Sequence, residues 1–157
     1  MNLSGQMFGI LALTILFGLF YVLFTYKFLM NYFQSIAKPL NNVLKLFLII
    51  GFYGFSICLI EFWSYSSNLK PFGNNTSDFA LSLLMNAVFL ICSFIFSALL
   101  FKLSDGIVKS IMKENHKLQM IHNNYMYAGV QAIIFIILVH ISSALFVELI
   151  ITNYPLK

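Results

Sequence analysis

The stretch Phe79–Phe101, FALSLLMNAVFLICSFIFSALLF, carries no charged residue. It exceeds the roughly 20 residues, at about 1.5 Å of rise each, that an α-helix needs to cross a hydrocarbon core of about 30 Å. Its apolar residues run on without alternating with polar ones, which is not the pattern of a half-buried strand. A lone strand in lipid would also leave its N–H and C=O groups unpaired. The segment reads as a transmembrane helix, and the rest of the chain is interpreted outward from it.

Three further runs share this character: Met7–Tyr26, Val43–Tyr65 and Tyr125–Ile151. Lys45 and Glu61 lie near the two ends of the second run, where their charges reach toward opposite headgroup layers. Trp63 and Tyr65 stand beside Glu61, as in an interfacial aromatic belt. Pro39, Pro71 and Pro155 fall outside all four runs, so none forces a kink in a span. The expected fold is all-α, a polytopic membrane protein of four transmembrane helices arranged as two tandem helical hairpins. The hairpins cover about 5–65 and about 79–152 within a single transmembrane domain, 1–157, and an amphipathic basic segment, 102–124, joins the last two helices.

Composition supports this reading. The 157 residues are 61% hydrophobic and 9% charged, with a mean hydropathy of +0.90. Soluble domains carry about 25% charged residues, so this chain has too few to wet a globular surface and is too apolar for disorder. Every strongly basic residue is Lys. Without the guanidinium fork that grips phosphate bidentately, a nucleic-acid partner is not expected. Cys58 and Cys92 sit in apolar runs with no Cys-x-x-Cys or Cys/His spacing, so no metal or cofactor is expected. There is no Gly-rich phosphate loop, GxSxG or HExxH, and the chain is not expected to be an enzyme. The first run has no basic region before it and no small-residue cleavage pattern after it, so it is kept as a span rather than a signal peptide.

Lysine positions give an orientation. Lys27, Lys38 and Lys45 lie in or beside the first connection, and Lys102, Lys109, Lys113 and Lys117 in the third. The second connection has only Lys70 and the tail only Lys157. The positive-inside bias places the first and third connections in the cytoplasm and both termini outside. The hairpins also echo one another. Each has Lys at the inner end of its first crossing (Lys27, Lys102), an Asn-Asn pair before its second (Asn41-Asn42, Asn123-Asn124) and an acid near the outer end of its second (Glu61, Glu148). Duplication of a two-helix unit is one explanation. The charge rhythm of any four-helix membrane protein is the other.

Lys113-Glu114-Asn115, then His122-Asn123-Asn124, then Tyr127-Ala128-Gly129 leading into the fourth run, resemble the bacterial inner-membrane family named domain of unknown function 350. The first hairpin matches less well, because Asn41-Asn42 is followed by Val43-Leu44-Lys45 without small alanines. The resemblance implies duplicated two-helix units in a bacterial inner membrane and brings no assigned chemistry.

Polar groups inside the spans are the default functional candidates. These are His140, Asn86 and Gln131. For His140 an interhelical hydrogen bond is the favoured reading, with a proton or ion role the alternative. Glu61, Asp78 and Glu148 gather at the outer surface, either as ordinary headgroup-level acids or as an acidic mouth. The sequons Asn74-Asn75-Thr76 and Asn75-Thr76-Ser77 lie on that same side. Lys109, Lys113 and Lys117 recur at i, i+4, with apolar positions 103, 107, 111 and 118 on another face. That segment either lies on anionic lipid, extends the third helix, or is a solvated loop helix whose lysines only set topology. Small residues at Gly5 and Gly9, Ser93 and Ser97, and Ala128 and Ala132 are spaced for close helix packing, and Gly51 and Gly54 notch the second run.

The function expected is a non-catalytic integral membrane subunit of a homo-oligomeric or larger complex. Its partners would be the lipid bilayer and other copies or membrane subunits. A small ion channel, pore or transporter module is the alternative, and a stress or phage-defence sensor or effector would fit either.

Overall fold

The computed structural model describes residues 3–36, 40–68, 76–113, 116–122 and 124–153. These residues form α1 (Leu3–Gln34), α2 (Asn42–Asn68), α3 (Thr76–Met112), α4 (His116–Ile121) and α5 (Tyr125–Asn153), with no strand among them. Four stretches are long and apolar enough to cross a membrane: Ile15–Gln34, Asn42–Phe62, Asn86–Met112 and Tyr125–Leu145. The fold is all-helical with four candidate spans, as expected from the uncharged runs.

Two helices outrun the apolar segments that announce them. α1 passes Lys27 and ends at Gln34. There Ser35 N–H bonds the carbonyls of both Asn31 and Tyr32, and Ile36 N–H bonds the Phe33 carbonyl at 3.0 Å, tightening the last turn. α3 passes Lys102 and continues to Met112. Lys113 then ends it in the left-handed region at φ 54°. Its N–H returns to the Lys109 carbonyl at 3.1 Å, a helix end more often made by Gly.

The segment 102–124 is therefore not one amphipathic element. Its first part is the end of α3, and only α4 stands apart. Within that end of α3, Leu103 and Ile111 face outward while Ser104, Asp105 and Val108 are buried. The apolar stripe seen in the sequence is the outer surface, and the inner surface carries polar groups.

α2, α3 and α5 pack against one another, and α1 lies less extensively against α2 and α3. The core is rich in aromatic rings. Phe28 packs on Phe55, Phe94 and Phe101, and Phe135 packs on Phe55 and Phe101. The two glycines of α2 admit neighbours closely. A Cβ at Gly51 would meet Leu29 Cδ1 at 2.9 Å, and one at Gly54 would overlap the Phe135 ring. In lipid, where hydrophobic contrast between helices is absent, such backbone approach is a main source of cohesion.

Candidate functional site

Three helices converge on a buried polar node. α1 supplies Tyr32. α3 turns Phe101, Ser104, Asp105 and Val108 inward at i, i+3, i+4 and i+7, so Asp105 rides on the same face as core apolar residues. α5 buries Tyr127, Ala128, Gln131, Ala132, Phe135 and Val139 and thereby aims Gln131 at the other two. All three positions fall within candidate spans.

The Tyr32 hydroxyl lies against both the Asp105 carboxylate and the Gln131 amide, with Tyr127 close by. One turn along α3, Lys109 Nζ stands 2.7 Å from Asp105 Oδ2. The lysine side chain is 50% exposed and the aspartate 12%, so the ammonium sits at the edge while the carboxylate lies inside. Gln131 is 0% exposed. Neither its Nε2 nor its Oε1 makes a well-formed hydrogen bond among the described residues.

A second group of polar side chains surrounds Tyr21. Its hydroxyl donates to the Phe55 carbonyl at 2.8 Å and lies close to Ser93, Ser97 and Cys58. Ser97 Oγ donates to the Ser93 carbonyl at 2.7 Å, and Ser93 Oγ to the Leu90 carbonyl at 3.0 Å. Each serine satisfies its own helix and leaves a small surface against which the α1 tyrosine fits.

Ser93, Ser97, Ala128 and Ala132 are all buried, so their spacing serves contacts within one chain. Gly5 and Gly9 lie in the first turns of α1, and their packing is outside the described residues. The intramembrane candidates are not brought together. Gln131 is in the node, Asn86 is half-buried toward the opposite end of α3, and His140 is on the exposed face of α5. His140 makes no hydrogen bond to another helix of this chain among the described residues. Glu61 is half-buried on α2 and Glu148 exposed on α5, while the side chain of Asp78 is outside the described residues. Of the lysines, Lys109 is tied to Asp105, Lys113 is the exposed cap of α3, and the Lys117 side chain is outside the described residues.

Asp105 is the functional-looking group that sequence reasoning passed over. It stands four residues before Lys109, a helical ion-pair spacing visible in the sequence, but the surrounding lysines made the region read as a connection. No group of three metal-ligating side chains occurs among the described residues. No protein-family model, curated protein or solved structure matches the chain.

Proposed function

We propose that this chain is a non-catalytic integral membrane subunit that assembles with further copies of itself or with other membrane subunits. The observation that carries the proposal is the position of His140. It projects from the exposed face of α5 with Ile133, Ile137, Ile141 and Leu145 around it, all exposed. A polar ring presented to hydrocarbon without a hydrogen-bond partner costs about 2–7 kcal/mol. A partner helix that bonds it removes that cost, and interhelical bonds of this kind contribute about 0.6–2 kcal/mol net.

The lysine distribution supports an orientation with both termini outside and the Lys-bearing connections in the cytoplasm of a bacterial inner membrane. Membership of the family named for domain of unknown function 350 belongs to the same proposal. It is supported by the order of the two hairpins and by the Asn that opens each returning helix. The alternative of an ion route has its best place between copies, along the His140 face, because phenylalanine rings fill the middle of the single bundle.

The test is particle mass after mild-detergent extraction at native expression, for the wild type and for His140→Leu. The reading expects a wild-type mass above that of one 18.0 kDa chain plus its detergent, and a smaller particle for the variant. One chain per wild-type particle, with nothing co-purifying, would sink it.

A further inference from the structure

The geometry points to a binding site for a small uncharged guest of water's class at the polar node where α1, α3 and α5 meet, held by the amide of Gln131. The argument starts from what Gln131 lacks. Its amide offers two donors and an acceptor with two lone pairs. It is fully buried, and neither polar atom makes a well-formed hydrogen bond among the described residues, although the Tyr32 hydroxyl lies against the amide. In a membrane interior there is no bulk water to compensate, and each unsatisfied group costs several kcal/mol. Buried polar groups in native proteins are therefore almost always completed by protein or by ordered water.

The neighbours decide the kind of guest. Asp105 already faces the Tyr32 hydroxyl and the Lys109 ammonium. Its negative charge is balanced, so a cation entering the node would leave uncompensated positive charge in a low dielectric. An anion would face the carboxylate. A neutral molecule avoids both penalties. It must both accept from Nε2 and donate to Oε1, which selects a compact donor–acceptor such as water over an apolar or donor-only guest. Tyr32 stands beside the same amide and supplies a further hydroxyl for the guest to bridge.

Thr25 provides an internal contrast. Its Oγ1 is also buried and unpartnered. A threonine hydroxyl within a helix can rotate onto its own i−3 or i−4 carbonyl. A glutamine amide reaching across a helix interface has no such local recourse, so Gln131 is where a guest is required.

The experiment uses the full chain in lipid nanodiscs with 15N-glutamine labelling, and its probe is water itself. Magnetisation transfer from water to the Gln131 side-chain NH2 is measured together with exchange of that group into deuterated buffer. The resonance is assigned by its disappearance in Gln131→Met. The expected result is direct transfer from water at an NH2 group that exchanges at least tenfold more slowly than free glutamine. Tyr32→Phe, which keeps the ring and the amide but removes the hydroxyl that the guest bridges, is expected to quicken that exchange severalfold. Absence of transfer in the wild type, meaning an amide bonded directly to protein, would overturn the inference. Exchange as fast as free glutamine would do the same, since the site would then be open to bulk solvent. Helical circular dichroism of each variant confirms that the bundle has formed, and none of these readouts depends on particle mass.

Discussion

Asn41 and Ile121 lie 80 positions apart in the chain and are joined by a hydrogen bond from Asn41 Nδ2 to the Ile121 carbonyl, 3.4 Å long. The same side chain caps α2, its Oδ1 accepting from Leu44 N–H at 2.9 Å. The turn that closes the first hairpin is thus bonded to the α4 segment that closes the second. Asn124 is the counterpart. Its Oδ1 accepts from Tyr127 N–H at 3.0 Å and so caps α5, while its Nδ2 donates to Gln119 Oε1 at 2.6 Å. Asn41 and Asn124 therefore perform one task, each capping the returning helix of its hairpin.

This double role predicts an order of stabilities. Loss of an Asn N-cap costs about 1 kcal/mol. Asn41→Ala removes both the cap and the bond to Ile121 and is expected to cost about 1–2 kcal/mol. Asn41→Asp keeps the capping oxygen and loses only the donor, so it is expected to cost less. Thermal unfolding in mild detergent is the measurement. Equal losses in the two variants would show that the cap contributes nothing.

The glycines separate by surroundings rather than by spacing. Gly54→Ala drives a methyl group into the Phe135 ring, which is itself held between Phe55 and Phe101, and is expected to cost about 1–3 kcal/mol. Gly51→Ala meets the methyl groups of the buried Leu29, which can give way more easily than a ring, and should cost less. Gly106→Ala and Gly129→Ala face open space and should be neutral or stabilising by up to about 1 kcal/mol through helix propensity. Unfolding midpoints of the four variants would check the ranking, and a harmless Gly54→Ala would refute the close approach of α2 and α5.

The four spans were legible because hydrocarbon demands long uncharged runs, and Phe79–Phe101 supplies that signal without help from neighbouring helices. Which face of each helix turns inward was not. In a soluble helix the polar face marks the outside, but here Leu103 and Ile111 face out while Ser104 and Asp105 face in. The outer and inner surfaces are both largely apolar, so periodicity carries little direction. His140 and Gln131 lie on the same helix with opposite exposure for that reason. The extension of α3 past Lys102 was hidden similarly. Packing of Phe101 and Val108 against the bundle holds those turns helical, and a charge count along the chain does not register such contacts.

The Asp105–Lys109 pair predicts non-additive energetics. Lys109 is half exposed, so solvent screens its share of the interaction, and Lys109→Ala is expected to cost on the order of 1 kcal/mol or less. Asp105→Ala also removes the carboxylate against which the Tyr32 hydroxyl lies inside the bundle and is expected to cost about 2–4 kcal/mol. The double variant should cost less than the two single changes added, because both remove the same contact. A thermal-unfolding cycle measures the coupling, and strict additivity would mean the ion pair does not form in the membrane.

The two cysteines test the orientation of α2 and α3 within the bundle. Cys58 on α2 is fully buried, close to Tyr21, whereas Cys92 on α3 is exposed on the outer surface. A reagent must first reach a thiol to modify it, and access is among the factors that set thiol reactivity. In mild detergent at alkaline pH, where more of the outer-surface thiol is ionised, a maleimide is therefore expected to label Cys92 well before Cys58, which reacts only once the bundle is unfolded. The Cys92→Ser variant should stay unlabelled under the same conditions, read by intact-protein mass spectrometry. Because Cys92 immediately precedes the buried Ser93, a rotation of α3 by about 100° would exchange their environments. Prompt labelling of Cys58 together with protection of Cys92 would thus contradict the inward placement of Ser93, Ser97 and Asp105, which share one face of that helix.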